Sequence, residues 1–211
     1  MKRLLLLLAF SSFALAQERE RKLLIIHADD LGMTHSVNAA SMKALDSGAI
    51  NSASIMVPCP WFAEIAAYAR KNPDADLGLH LTLTAEWEHF RWGPVIAGAR
   101  SLLDKDGYLH LTETEAAKHI DPKEAEREIR AQIDRARAFG IQPSHLDSHM
   151  RTLHQTEALF AVLLKVSREY KIPVAIDRAL ATRYGSLLMP EDIVIDRFVS
   201  IGADVPAERW K

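Results

Sequence analysis

The chain has 211 residues, of which 48% are hydrophobic, and this proportion is sufficient for one domain with a full apolar core. Its 26 Lys and Arg residues nearly balance its 28 Asp and Glu residues, which gives a formal net charge of -2. Because the sequence also has no basic block, it lacks the electrostatic footprint of a nucleic-acid-binding protein, and we expect no nucleic acid among its partners.

The N-terminal residues have the pattern of a secretory signal peptide. A short basic start precedes a leucine-rich run, and the small residues Ala14 and Ala16 follow it. The sequence therefore predicts that residues 1–16 are removed and that residues 17–211 form a single exported domain, periplasmic or secreted. A membrane anchor is the alternative, but the apolar run is shorter than the roughly 20 residues that span a bilayer, so we expect no stable membrane insertion.

Strand-like and helix-like segments alternate along the rest of the chain. In chain order the sequence predicts a strand at 23–26, a helix at 37–47, a strand at 52–58, a helix at 61–71, a strand at 76–84, an irregular segment at 85–121, a helix at 121–140, a strand at 143–149, a helix at 157–170, a strand at 173–177 and a candidate strand at 192–199. This alternation predicts an α/β fold with parallel strands, either in a barrel or in an open sheet. Both architectures place the ligand site at the carboxyl ends of the strands.

Three of the predicted strand ends carry residues that bind metals. They are Asp29 and Asp30 after the first strand, His80 in the third, and His145, Asp147 and His149 in the fourth. Two imidazoles and one carboxylate from different strands would make an open site for zinc or another divalent metal. The metal would polarise a carbonyl group and lower the pKa of bound water, while a second carboxylate accepts the proton of that water. The residue types alone leave open which aspartate has which role, and which two histidines bind.

Each part of this pattern has a simpler explanation when it is taken alone. A histidine between two leucines, such as His80, is often a core residue with ordinary hydrogen bonds, and a pair of aspartates before a helix can be a turn or an N-cap. The convergence of these residues on three strand ends favours a metal site.

Three motifs together resemble one known family. They are "HADDLGMTHSVNAA", "LGLHLTLT" and "PSHLDSH", in this order, and the similar region extends over residues 23–178. The chain resembles the YdjC-like carbohydrate deacetylases, which include chitooligosaccharide deacetylases. The resemblance implies a distorted or incomplete, TIM-like (β/α) barrel, one divalent metal ion (Mg or Zn), and the hydrolysis of N-acetyl groups from an amino sugar or oligosaccharide.

The resemblance also assigns roles to individual residues. Asp30, His80 and His149 are the implied metal ligands, and Asp29 is the implied general base. His145 and Asp147 are expected to lie close behind the ligands or to face the substrate.

Other residues of the motif and of the irregular segment have looser expectations. Trp92, like Trp87, is a candidate for stacking on a sugar ring, with ordinary packing of the loop as the alternative. His27 and His35 are expected only to line the site, because neither has a partner motif elsewhere in the sequence.

The sequence departs from the family pattern in two places. Met150 and Arg151 stand where much of the family has histidines, and His154 is out of register. The sequence also ends at Lys211, earlier than expected for the family, so the last barrel segments and a histidine that could act as general acid are expected to be missing. A metal- and sugar-binding barrel without turnover is therefore the alternative function. A metal-dependent esterase or phosphoesterase is a third, although no phosphate-binding loop is present. A homodimer is one candidate assembly.

Overall fold

The computed structural model describes residues 22–200. The predicted signal peptide lies outside these residues, and the single domain over 17–211 stays a prediction. The strands and helices are β1 (His27–Leu31), α1 (His35–Asp46), β2 (Ser52–Ile55), α2 (Phe62–Lys71), β3 (Leu77–Leu81), α3 (Glu113–His119), α4 (Pro122–Ala138), β4 (Leu146–Ser148), α5 (Glu157–Tyr170), β5 (Ile176–Asp177), α6 (Arg178–Tyr184) and β6 (Val194–Ile195). Single 3-10 turns or short 3-10 segments occur at Arg100–Leu102, His149–His154 and Gly185–Leu187.

The strands form parallel sheets, as the alternation predicted. β1, β2, β3 and β4 pair in that order, and β5 pairs with β6. An isolated bridge between Leu146 and Val174 connects β4 to the segment that leads into β5. Within residues 22–200 the larger sheet is open, so the α/β class is confirmed but a closed TIM-like barrel is not.

The first strand differs from its prediction. The apolar residues 23–26 lie outside β1, and their exposed fractions run from 87% at Leu23 to 46% at Ile26. The side chain of Asn51 binds this segment, because it accepts from the Ile26 amide (2.8 Å) and donates to the Leu24 carbonyl (3.0 Å). β1 therefore begins at His27, and the polar motif is part of the strand instead of following it.

Helix α4 begins and ends where its sequence signals place it. Asp121 caps the helix by accepting a hydrogen bond from the Lys123 amide, and Pro122 occupies the first turn, where the missing N–H costs nothing. The buried side chains of Ile129 and Ile133 face the core, and the helix packs against α5 and β3.

The same helix also fixes the long segment that follows β3. The carboxylate of Glu128, which is fully buried, accepts hydrogen bonds from the amides of Val95 (2.9 Å) and Ile96 (3.0 Å). Gln132 forms two hydrogen bonds with the backbone of Thr82, at 3.0 and 2.8 Å. These contacts give the irregular segment a defined course over the carboxyl ends of the strands.

None of the helices within residues 22–200 combines the length and the apolar character required to cross a membrane.

Candidate active site

The backbone of β1 turns sharply at Asp30. This residue has a φ of 67° in the left-handed region, which aspartate tolerates better than most residues, and the register with β2 shifts between Ala28 and Leu31. The irregularity separates two neighbouring carboxylates. The Asp29 side chain is 56% exposed, whereas Asp30 is 35% exposed and has one fully enclosed oxygen.

Asp30 lies between two histidines from other strands. Its Oδ1 is 3.3 Å from Nδ1 of His149, directly after β4, and 3.5 Å from Nε2 of His80 on β3. This oxygen is buried, yet it has no hydrogen-bond partner of good geometry among residues 22–200. Neighbouring ligands of a tetrahedral ion with bonds of 2.0–2.1 Å are about 3.3 Å apart, so the three atoms are spaced as metal ligands.

The outer nitrogen of each of these histidines faces a carboxylate. Nδ1 of His80 is 2.7 Å from Oδ1 of Asp147, its register partner across β3 and β4. Nε2 of His149 is 2.9 Å from Oε2 of Glu86. A carboxylate in this position fixes the orientation and tautomer of a metal-binding imidazole. Asp147 thus lies behind the candidate ligand His80, and its role in the site stays a prediction.

The sequence analysis missed Glu86. It lies five residues after the end of β3 in a segment without periodicity, and Glu88 follows two residues later, so the sequence could not distinguish the two. Its position just beyond a strand end was the only available signal.

His27 is a second residue whose role the sequence analysis missed. Its Nδ1 is 2.8 Å from the Ser52 hydroxyl, and its Nε2 is 3.1 Å from the Ser54 hydroxyl. The same Nε2 is 3.2 Å from Oδ1 of Asp29 and 3.3 Å from Oδ2 of Asp147. His27 therefore has a partner motif after all, and the expectation that it merely lines the site is wrong. No sequence pattern predicts the contact between His27 and Asp147, because it depends on how the side chains of β1 and β4 pack together.

His35 lies apart from this network. Its Nδ1 is 2.7 Å from Oε1 of Glu64 on α2, and its side chain is 61% exposed. The structure does not place His35 among the residues that surround Asp30.

The ring of His145 packs against the ring of His27. The two rings are edge to face at 5.2 Å, and the His145 ring covers Gly78 so closely that a Cβ atom on this glycine would be 2.4 Å from Nε2. Burial lowers the pKa of His145, so its ring is neutral at neutral pH. A donor atom of His145 also lies within 4.8 Å of donor atoms of both His27 and Asp147.

Three groups of donor atoms within residues 22–200 are compact enough to hold a metal ion. They are Asp30, His80 and His149; His27, His145 and Asp147; and Asp29, His80 and Asp147. Only the first group contains a buried oxygen without a hydrogen-bond partner among the described residues, and in that group both outer nitrogens are already oriented by carboxylates. The first group is thus the best candidate for the metal site, in agreement with the roles that the resemblance implied.

The carboxylates control the electrostatics of the site. Burial lowers the pKa of His149, but the neighbouring carboxylates of Asp30 and Glu86 outweigh this effect and raise it to about 9. Burial raises the pKa of Asp30, but the nearby imidazoles of His149 and His80 outweigh this effect and leave the carboxyl with a lowered pKa. The group formed by Asp30, His80 and His149 thus keeps its carboxylate ionised and stabilises positive charge, and both effects favour the binding of a cation.

Trp92 cannot stack on a sugar in this conformation. Its side chain is 3% exposed, its indole N–H donates to the Thr84 carbonyl (2.9 Å), and its ring is 6.4 Å from the ring of His149. The hypothesis of sugar stacking is therefore wrong for Trp92, and packing behind a candidate ligand describes it better. Trp61 and Trp87 are the tryptophans with substantial exposure in the described residues, at 43% and 52%.

The segment after His149 follows an unusual backbone path. Met150 and Arg151 both have positive φ, at 48° and 55°. The Arg151 guanidinium extends to Asp177 (2.7 Å), and His154 is buried beside Phe160. Met150 and Arg151 therefore form a kink in the backbone next to a candidate ligand.

Comparison with protein families and known proteins gives a consistent picture. Residues 23–200 match the sequence model of the family described as YdjC-like protein. A carbohydrate deacetylase of Brevibacillus brevis is 34% identical over 72% of this chain and 58% of its own length. A carbohydrate deacetylase of Thermus thermophilus is 34% identical over 76% of this chain and 55% of its own. A chitooligosaccharide deacetylase of Yersinia enterocolitica is 29% identical over 79% of this chain and 64% of its own.

A solved structure is also similar. The crystal structure of a candidate cellobiose-phosphate cleavage protein from Enterococcus faecalis superposes with a TM-score of 0.68 and 27% sequence identity, over 80% of this chain and 66% of that one. The present chain thus spans 55–64% of the length of the three relatives named above.

Proposed function

Because the chain belongs to the YdjC-like protein family, we propose that it removes N-acetyl groups from an amino sugar or oligosaccharide by metal-dependent hydrolysis. Relatives of about 30% identity are named as carbohydrate or chitooligosaccharide deacetylases. The observation that carries the proposal is the buried Oδ1 of Asp30, which lies between His80 and His149 with no hydrogen-bond partner among the described residues.

Asp30, His80 and His149 would hold one divalent ion. Two imidazoles and a carboxylate are a donor set that suits zinc better than magnesium, which prefers oxygen ligands and retains several waters. When bound, such an ion supplies Lewis acidity toward the amide carbonyl and lowers the pKa of a coordinated water.

Asp29 is the residue of this chain best suited to accept a proton. Its carboxylate is 56% exposed and directly precedes Asp30, and the turn at Asp30 directs the two side chains apart. It can therefore receive the proton of a water that attacks an acetamide beside the ligand group. Asp147 and Glu86 would hold the rings of His80 and His149 in place during the reaction.

We further propose that the two sheets form the wall of an incomplete (β/α) barrel around this site. The strands of the larger sheet follow one another in chain order, and the bridge between Leu146 and Val174 extends the pairing toward β5. Export after cleavage near Ala16 is likewise a proposal, which N-terminal sequencing of the protein recovered outside the cytoplasm would test.

Acetate release is the direct test. The purified chain, stripped of metal and then given zinc or magnesium, should release acetate from N-acetylated chitooligosaccharides. Asp29→Asn should lower kcat by about 10²–10⁴-fold while metal binding is retained, because the variant loses the base but no ligand. Asp30→Asn is the matched variant, and it should lose metal binding as well as turnover.

Other outcomes would contradict the proposal. Full turnover by Asp29→Asn would disprove its role as base. Binding of the oligosaccharide without acetate release under every metal condition would favour the alternative, a sugar-binding barrel that does not catalyse hydrolysis.

A further inference from the structure

His27 contacts both the proposed base and the carboxylate that lies behind a proposed ligand. One ring atom, Nε2, lies 3.2 Å from the carboxylate of Asp29 and 3.3 Å from that of Asp147. The other oxygen of Asp147 is 2.7 Å from Nδ1 of His80. A continuous path therefore runs from Asp29 through His27 and Asp147 to His80.

We propose that His27 is a positioning residue, which orients the base Asp29 and, through Asp147, fixes the orientation of the metal ligand His80. This inference rests on the function proposed above, because it assigns to Asp29 and His80 the roles of base and ligand.

The ring of His27 is itself firmly held. The register of β1 with β2 places His27 opposite Ser52, whose hydroxyl is 2.8 Å from Nδ1, and the Ser54 hydroxyl lies 3.1 Å from Nε2. The edge of the neighbouring His145 ring contacts it from the side. Because these contacts hold the ring on two sides, its Nε2 stays between the two carboxylates at little cost in conformational entropy.

Charge explains why a donor is required at this point. Asp29 and Asp147 lie 3.2 and 3.3 Å from Nε2 of His27, so a proton on this nitrogen would stand between two carboxylates. Without that donor the two negative charges would repel each other, and the exposed side chain of Asp29 could rotate toward solvent. Asp147 would lose the contact that orients its second oxygen, and the hydrogen bond to His80 would become less well defined.

Two substitutions at position 27 test whether the donor must lie at the position of Nε2 or whether any polar side chain is sufficient. The amide nitrogen of Gln can occupy the position of Nε2, whereas the shorter Asn replaces only the group at Nδ1. His27→Asn should therefore lower kcat and weaken metal affinity by about 10–100-fold, as is typical when a residue behind a metal ligand is lost. His27→Gln should restore most of both, and KM should change little in either variant, because no contact with substrate is removed.

The measurements are kcat and KM for acetate release, and the metal dissociation constant from competition with a chelating dye. His35→Asn is the matched control, since His35 belongs to the same motif but binds Glu64 outside the network. Its kcat and metal affinity should equal those of the unmodified chain.

Specific results would overturn the inference. One is an unchanged kcat and metal affinity in His27→Asn. The other is an equal loss of kcat and metal affinity in the Asn and Gln variants with an equal fall in Tm, which would indicate a purely structural role. Asp147→Asn provides a further test, because adding His27→Asn to it should cause little additional loss of metal affinity if the two act in one path. If the unmodified chain released no acetate, the proposed function would fail, while the metal-affinity measurements would still decide the role of His27.

Discussion

At the scale of single residues, His154 is unusual because its imidazole is buried without any hydrogen bond to its ring nitrogens. The side chain packs edge to face on Phe160, and neither nitrogen has a partner among residues 22–200. Burial, together with the positive charge of Arg151, lowers the pKa of His154 to about 4. The folded protein therefore strongly prefers the neutral ring.

This shift predicts a loss of stability in mild acid. The unfolded chain binds the His154 proton near the usual pKa of 6.5, whereas the folded chain resists it down to about 4. The unfolded state thus binds more protons between these values, so the free energy of unfolding decreases as the pH falls through this range. Between pH 7.5 and 5 the contribution of this one residue should be a loss of about 2 kcal/mol.

The effect can be isolated with His154→Leu. Urea unfolding of both proteins at pH 7.5 and pH 5 should show a smaller loss for the variant, because other titrating groups are common to the two. Equal losses in the two proteins would mean that His154 binds its proton as readily in the folded state as in the unfolded state.

The residues of the candidate site show how far a sequence can be interpreted without a structure. Strand ends and residue types were sufficient to group the six candidate aspartates and histidines as one cluster, since carboxyl ends of parallel strands meet at one edge of a sheet. The choice of Asp30, His80 and His149 among them came from the resemblance to the family, and their roles stay predictions. His27 and Glu86 could not be predicted in the same way. Their roles depend on distances between side chains of different strands and loops, and those distances follow from packing and not from spacing in the sequence.

At the scale of elements, the contact between β3 and the start of β4 depends on a glycine. A Cβ atom at Gly78 would be 2.4 Å from Nε2 of His145, inside the distance that real atoms allow. Gly78→Ala should therefore force the imidazole away from β3 and lower the free energy of unfolding by about 1–3 kcal/mol, the usual cost of overpacking.

A double-mutant cycle tests this prediction. In the background of His145→Ala the same Gly78→Ala change should cost much less, because the ring that causes the clash is gone. Gly93→Ala is a matched control, since its Cβ would meet only the Gly107 carbonyl at 3.9 Å. Equal costs of Gly78→Ala with and without the ring would show that strain in the strand, and not the imidazole, determines the effect.

The elements differ in how well their sequences predicted them. Helices α2, α4 and α5 were confirmed, because each has an apolar face at helical spacing. The prediction of a strand at 23–26 was wrong. It treated the apolar run as buried, whereas its side chains face solvent and its backbone is bound by Asn51. The short helices α3 and α6 were missed, since seven residues contain too few turns for a periodic pattern.

At the scale of the whole molecule, the candidate ligands come from distant parts of the chain. Asp30 is on β1, His80 on β3, and His149 follows β4. An ion that binds these three residues only in the folded state should stabilise the entire sheet.

The predicted gain is measurable as a shift in Tm. A free metal concentration of 100 times the dissociation constant should raise the free energy of unfolding by about 2.7 kcal/mol, and a chelator should reverse the gain. Asp30→Asn should show no such shift, whereas Asp29→Asn should show all of it. A shift of equal size in Asp30→Asn would place the ion at one of the other two donor groups.

The global architecture was only partly predictable. Alternating strands and helices correctly indicated parallel pairing, because a crossover helix is the usual connection between parallel strands. The same alternation cannot distinguish an open sheet from a closed one, since closure depends on strand tilt and stagger that no local pattern encodes.

The left-handed backbone of Asp30 has a consequence for how this sequence could change over time. A non-glycine residue in that region costs of the order of 1 kcal/mol, and one oxygen of the Asp30 carboxylate is enclosed without a hydrogen-bond partner in the described chain. Glycine at position 30 would relieve both costs but would remove the proposed central ligand. A library of variants selected only for thermal stability should therefore become enriched in glycine at position 30. A library selected for metal binding should retain aspartate there.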